Sequence, residues 1–432
     1  MHHFHYRQGE LYAEDVPVTR IAEQVGTPVY LYSLATLRRH YQVFDEAFSR
    51  TKHLVCFSIK ANSNLAVLRT FARAGSGFDV VSGGELFRAL KVGGDPRKIV
   101  FSGVGKSREE IAYALAQNIL MFNVESEQEL DAINAVAGSM GKKAPVSLRV
   151  NPDVDPQTHP YISTGMKKSK FGVDIKRSLD EYERARALPN LTVIGVDCHI
   201  GSQLTSTSPF VDALARVKEL ILRLRERGFV ISHLDLGGGL GITYNDEKPP
   251  EPKEYAGSLM EMMGALATPS IGAAISGTDL TLVLEPGRVI VGNAGILVTR
   301  VLYCKSNSEK NFVVVDGGMN DLIRPALYGS YQGIQPVKQT TDKTIVADVV
   351  GPVCESGDFF AKDREVTAFA PGDLMAVMSA GAYGFVMASN YNTRPRPAEV
   401  LVDGADFSVV RERETLEDLI RGEKIPERLS GL

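Results

Sequence analysis

The stretch HLVCFSIKANSNLAVLRTFARAGSGFDVVSGGELFRALKVGGDPRKIVFS, residues 53–102, decides the fold. Three short apolar runs, LVCFSI (54–59), GFDVV (77–81) and KIVFS (98–102), alternate with NLAVLRTFARA and GGELFRALKVG, whose apolar residues recur at helical spacing. The same unit repeats outward as far as Glu285. Its later strand-like runs are ILMF (119–122), VSLRV (146–150), LTVIGVDCH (191–199), ISHLDL (231–236) and LTLVLE (280–285). Between them lie SREEIAYALAQ, SEQELDAINAVAG, a segment over 174–188, PFVDALARVKELILRLRERG and EYAGSLMEMMGALA, so eight strands alternate with seven helices. Strands this continuously apolar need cover on both faces, which parallel strands joined by helices provide. An open doubly wound sheet is one solution, but eight units within about 230 residues suit a closed (β/α)8 barrel better.

Beyond Arg288 the pattern changes to ILVTRVLYCK, NFVVVDGG, KTIVADVVG, DLMAVMSAG and AEVLVDGADFSVVRE, short strands broken by Gly, Asp and Asn. A second, mostly β domain follows. The barrel is expected over 28–285 and the β domain over 1–27 plus 286–432, with PVYLYS (28–33) also suited to completing the β domain.

Across its 432 residues the chain is 44% hydrophobic and 23% charged, with a formal net charge of −4. That supports more than one core and projects no basic field toward nucleic acid or an anionic membrane. No stretch is apolar enough to span a bilayer, and MHHFHYRQGELYAED lacks the apolar run of an export signal. Cys56, Cys198, Cys304 and Cys354 form no CxxC pair, so neither a zinc site nor a disulfide framework is expected, and a cytoplasmic location is. His2, His3 and His5 read as a frayed terminus and not as a metal site.

In such a barrel the carboxyl ends of the strands form the active face, and the polar exceptions fall there. Lys60 follows the first strand, Asp79 lies in the second, His199 ends the sixth, Gly237, Gly238 and Gly239 end the seventh, and Glu285 ends the eighth. Each also has a structural reading: a solvated turn lysine, a core histidine, or a helix cap, although Ser82 is the better cap for GELFRAL. Their gathering at one mouth favours chemistry. An enclosed lysine loses its proton readily enough to form a Schiff base. The glycine run leaves backbone N–H groups open to a phosphate. GVGKS (103–107) is not a Walker loop, because that pattern needs glycine where Val100 stands. An amine, a phosphate seat and an acid for a ring nitrogen together match the needs of pyridoxal phosphate. Glu285 is the acid, in a turn stiffened by Pro286 and Gly287 that also presents Arg288.

FSIKAN, FDVVSGGEL, SKFG, HIGSQ, LDLGGGLG, EPGR, RPALYG, CESGD and GAYG occur in one order between about residues 10 and 420. In that order they resemble the fold type III family of pyridoxal-phosphate decarboxylases, in its diaminopimelate branch. The resemblance implies loss of the D-centre carboxyl of meso-2,6-diaminopimelate to give L-lysine. It implies Lys60 as the Schiff-base lysine, His199 against the cofactor face, Glu285 at the pyridine nitrogen, and Ser202, the Gly237–Gly239 loop and Tyr383 at the phosphate. Asp79 and Glu85 would hold the surrounding network, with Gly287 and Arg288 beside the cofactor and Lys170 steadying the barrel mouth. Arg288, Arg324 and Tyr328 would clamp a distal carboxylate, Glu355 would receive the distal ammonium beside Tyr383, and Cys354 would return a proton to Cα. A homodimer is implied, with CESGD entering the partner's site.

Ornithine, arginine or polyamine-precursor decarboxylases carry substrates with no distal carboxylate and match Arg288 and Arg324 poorly. A racemase of this scaffold is expected to place arginine, not Glu285, at the ring nitrogen. A non-catalytic cofactor-binding protein is expected to lack the second domain.

Overall fold

The structure, a computed structural model, describes residues 2–154, 170–263 and 280–429. Two compact units emerge, one of Thr36–Gly292 and one of Met1–Ala35 with Asn293–Leu432. In the first, eight parallel strands close on themselves: β1 (His53–Ser58), β2 (Gly77–Val80), β3 (Ile99–Phe101), β4 (Met121–Val124), β5 (Ala144–Asn151), β6 (Leu191–Asp197), β7 (His233–Asp235) and β8 (Thr281–Leu284). Closure comes where β8 pairs with β1, with Leu282 opposite His53 and Leu284 opposite Val55. This is the expected (β/α)8 barrel, and a helix follows each of the first seven strands among the described residues.

Local sequence sets the helix starts. Ser82 accepts the N–H of Glu85, and Ser107 with Glu110 forms a reciprocal capping box at Arg108–Gln117. The last helical pattern folds as Pro252–Met263, and its remainder lies outside the described residues.

The barrel interior is layered by the two-residue period of its strands. Cys56, Val100, Met121 and Val283, one from each of β1, β3, β4 and β8, form a buried apolar cluster. Two residues farther along the same chains come Ser58, Ser102, Asn123 and Glu285, all buried and hydrogen-bonded among themselves or to Asp79 and Asp235. One pleat repeat therefore takes the interior from an apolar plug to a polar floor at the carboxyl ends of the strands.

In the second unit the twelve-residue strand Gly295–Ser306 pairs antiparallel with Asn311–Val315, Leu374–Val377 and Val29–Ser33. Val29–Ser33 also runs parallel to Ala398–Asp403, so PVYLYS belongs to this sheet although it falls inside the 28–285 range. Its side chains are buried throughout, with Val29 and Leu31 in a core shared with Ile296, Val298 and Val400. The N-terminal histidines do not fray as expected. Phe4–Arg7 forms a strand on Glu10–Ala13, with His5 opposite Tyr12, because Phe4 and Leu11 are drawn into that core. Among the described residues no helix is long and apolar enough to cross a membrane.

Candidate functional site

Lys60 leaves β1 on a single tight turn, Ile59–Ala61, and its Nζ donates to Oδ2 of Asp79 at 2.5 Å. Asp79 is wholly buried while the lysine is partly open. Ser58 Oγ lies 2.8 Å from the same carboxylate oxygen and 2.9 Å from the backbone carbonyl of Glu285, which ties the ends of β1, β2 and β8 together. The other oxygen of Asp79 is buried without a hydrogen-bond partner among the described residues.

Glu285 sits across the polar floor. Its Oε1 receives Ser102 Oγ at 3.2 Å and Asn123 Nδ2 at 3.4 Å. Burial, then the neighbouring Asp235 and Asp79 carboxylates, push its pKa well above the usual range, against the pull of Lys60 and Arg149. Burial and its acidic neighbours therefore bias this carboxyl toward its protonated form.

His199 stands two residues past β6. Burial, then the Arg149 guanidinium and the Lys60 ammonium, hold its imidazole well below its ordinary pKa, so the ring is neutral. The N–H of Gly238 donates to Nδ1 at 3.2 Å, which places the ring proton on Nε2. Close approach explains the glycines. A Cβ on Gly237, which has φ +62°, would lie 2.6 Å from His199 Nδ1, and one on Gly238 would lie 2.2 Å from the Glu285 carbonyl oxygen. Gly287 likewise leaves room for Ala61. Ser202 Oγ accepts from Arg288 Nη2 at 3.0 Å, and Arg288 Nη1 donates to the Tyr244 hydroxyl at 2.7 Å.

The unit thus gathers Lys60, Asp79, His199, Ser202, Gly237–Gly239, Glu285, Gly287 and Arg288. Glu85 lies nearby, its Oε2 accepting the Val81 N–H at 2.7 Å, with burial pushing its pKa up to about 7. Lys170 is exposed with its Nζ 5.2 Å from the Phe171 ring centroid, and Ser169 of the same motif lies outside the described residues. The second unit carries the others. Arg324 and Tyr328 share one short helix, and Arg324 donates to Gln332 at 2.8 Å. Tyr383 adopts a left-handed backbone at φ +55°. Cys354 and Glu355 form an exposed turn, the Cys354 N–H donating to the Asn392 side chain at 2.7 Å.

Sequence reading did not single out Ser102, Asn123, Glu125, Arg149, Asp197 or Asp235. Each is one polar residue at or beside the end of an apolar strand, and that was the available signal. Arg149 donates to Glu125 at 3.0 Å and lies 4.0 Å from Asp197, forming a buried charged group behind His199. Lys106 of GVGKS fills a buried pocket of acceptors. Its Nζ donates to the carbonyls of Gly103 and Asn123 and, at 2.6 Å, to Glu129.

Residues 34–292 match the family described as pyridoxal-dependent decarboxylase, pyridoxal binding domain. The diaminopimelate decarboxylase of Haemophilus influenzae is 54% identical over 420 residues, covering 97% of this chain and 98% of the relative. That of Pseudomonas aeruginosa is 55% identical over 422 residues, covering 98% and 99%. A crystal structure of diaminopimelate decarboxylase from M. jannaschii in co-complex with L-lysine superposes with a TM-score of 0.92 at 39% identity, covering 99% of this chain and 98% of that one.

The buried Lys106–Glu129 pair gives a first prediction. Lys106→Met leaves a buried carboxyl without its cation and lowers stability by about 3 kcal/mol in urea unfolding at neutral pH. The deficit widens as pH rises above the ordinary glutamate range, because burial already pushes the Glu129 pKa up and the stranded carboxyl resists ionisation in the folded state while the unfolded chain ionises freely. A variant as stable as the parent would show that the Lys106–Glu129 pair contributes nothing to the fold.

Proposed function

Because this chain belongs to the diaminopimelate decarboxylase family of pyridoxal-dependent decarboxylases, we propose that it removes the D-centre carboxyl of meso-2,6-diaminopimelate at its barrel floor. The products are L-lysine and carbon dioxide. Pyridoxal 5'-phosphate, when bound, supplies an aldehyde for amine capture and a ring that accepts the electron pair left by carbon dioxide.

The donor set fits that group: one amine, one acid held toward its protonated form, and a glycine loop beside a hydroxyl and a guanidinium. Lys60 would be the amine that captures the aldehyde, and Asp79 holds its Nζ in place. Glu285 would face the ring nitrogen. Neutral His199 would pack beside the ring without adding a competing charge. Ser202 and the Gly237–Gly239 loop, whose first two N–H groups already donate to Asp235 and His199, would receive the phosphate, with Tyr383 as a further donor and Gly287 giving the turn its clearance. Arg288, Arg324 and Tyr328 grip the distal carboxylate, Glu355 accepts the distal ammonium, and Cys354 delivers the proton to Cα.

The exposed Cys354–Glu355 turn suits insertion into a second copy, so the working form is a homodimer with shared sites. Its cysteines form no disulfide, which suits the cytoplasm. The observation that carries the reading is the Lys60–Asp79 contact at the same barrel end as the buried Glu285, whose Oε1 is met by Ser102 and Asn123.

Purified protein supplied with pyridoxal phosphate is expected to release carbon dioxide from meso-diaminopimelate and not from ornithine, arginine or lysine. Release from ornithine or arginine alone would reject the substrate. Arg324→Ala is expected to raise KM for diaminopimelate by at least about tenfold, with kcat within about threefold of the parent. A fall in kcat at unchanged KM would remove Arg324 from substrate binding.

A further inference from the structure

Asp235 ends β7, is fully buried, and has no part in the chemistry proposed above. Its two oxygens are used on different neighbours. Oδ1 accepts the N–H of Gly237 at 2.9 Å, and Oδ2 accepts Asn123 Nδ2 at 3.0 Å. Gly237 opens the glycine loop. Asn123 belongs to β4, which pairs with β3 and β5 and not with β7, so the second bond crosses the barrel interior.

The same Asn123 nitrogen lies 3.1 Å from Ser102 Oγ and 3.4 Å from Glu285 Oε1. Its three neighbours are all oxygen acceptors, whereas Asn123 Oδ1 has no hydrogen-bond partner among the described residues. The amide orientation is therefore set by what surrounds the nitrogen. Turning the amide would press Oδ1 against the Asp235 and Glu285 oxygens.

We propose that Asp235 is a positioning residue that couples the phosphate end of the cofactor site to the ring-nitrogen end. Its Oδ1 fixes the Gly237 turn while its Oδ2 holds Asn123 with the donor side toward Glu285. This rests on the reading of the Gly237–Gly239 loop and Glu285 as the two grips on pyridoxal phosphate. A backbone bond from Glu285 N–H to the Gly237 carbonyl, 2.8 Å, already joins the two segments, and Asp235 adds the link that orients the Glu285 side chain. Burial and the nearby Asp197 push its pKa up to about 7, a cost that an apolar residue at this buried position would not carry.

Two substitutions separate the two bonds. Asp235→Asn keeps an oxygen for Gly237 but turns an N–H toward Asn123, which then rotates and withdraws its donor from Glu285. Asp235→Ala removes both bonds. For folded Asp235→Asn the affinity for pyridoxal phosphate and the 31P resonance of the bound phosphate stay close to the parent, while kcat falls at least about tenfold with KM within about threefold. Asp235→Ala in addition weakens cofactor binding at least about tenfold and moves the 31P resonance. Asp235→Asn alone decides the proposal should Asp235→Ala not fold. Parental kcat in Asp235→Asn, or two folded variants with the same cofactor affinity, overturns the role of Asp235 alone. A parent protein that takes up no pyridoxal phosphate overturns both this proposal and the reading it rests on.

Discussion

The buried acids at the carboxyl end of the barrel depend on a small number of cations. Asp79, Asp197, Asp235 and Glu285 all lie out of water, and the positive charges beside them are Lys60 and Arg149. In a medium of low polarity several carboxylates cannot ionise together, so protons are retained and the acids separate into roles. Asp79 takes the lysine. Glu285 is biased toward its protonated form. Burial, reinforced by the positive charge of Arg149, which is tied to Glu125 and lies near Asp197, keeps the His199 ring neutral. Removing any one of these charges would shift the proton distribution over the others.

The barrel makes such a cluster tolerable. Below it, Cys56, Val100, Met121 and Val283 seal the interior with apolar volume, so the acids are isolated from water on one side and open to a ligand on the other. Hydrogen bonds from Ser58, Ser102, Asn123 and backbone N–H groups satisfy much of what burial removed. Under the proposed function, a ligand bringing a basic ring nitrogen and an aldehyde would meet Glu285 and Lys60 already in place. Little reorganisation is then left for the chemical step.

Much of this was legible in the chain because strand ends are conspicuous. Lys60, His199 and Glu285 interrupt strongly apolar runs, and the three glycines after LDL have no helical or strand reading. The second layer was harder to see. Asn123 in LMFNV and Asp235 in HLDL look like single polar tolerances until the strands curl and bring β4 opposite β7, a proximity that no local pattern encodes. PVYLYS was ambiguous for a similar reason, since a β-rich run before a helix suits either unit until its partners, Gly295–Ser306 and Ala398–Asp403, are known. The histidine-rich start appeared frayed because its anchor is Phe4, a single apolar residue whose burial depends on strands almost three hundred residues away.

The central claim is that Lys60 is the amine that carries the cofactor. Protein saturated with pyridoxal phosphate, treated with borohydride and digested, tests it by mass spectrometry of the peptide spanning FSIKAN. The account predicts the reduced cofactor fixed to Lys60, together with loss of the visible absorbance in Lys60→Ala. A cofactor adduct on a different lysine, or none at all in active protein, would contradict it.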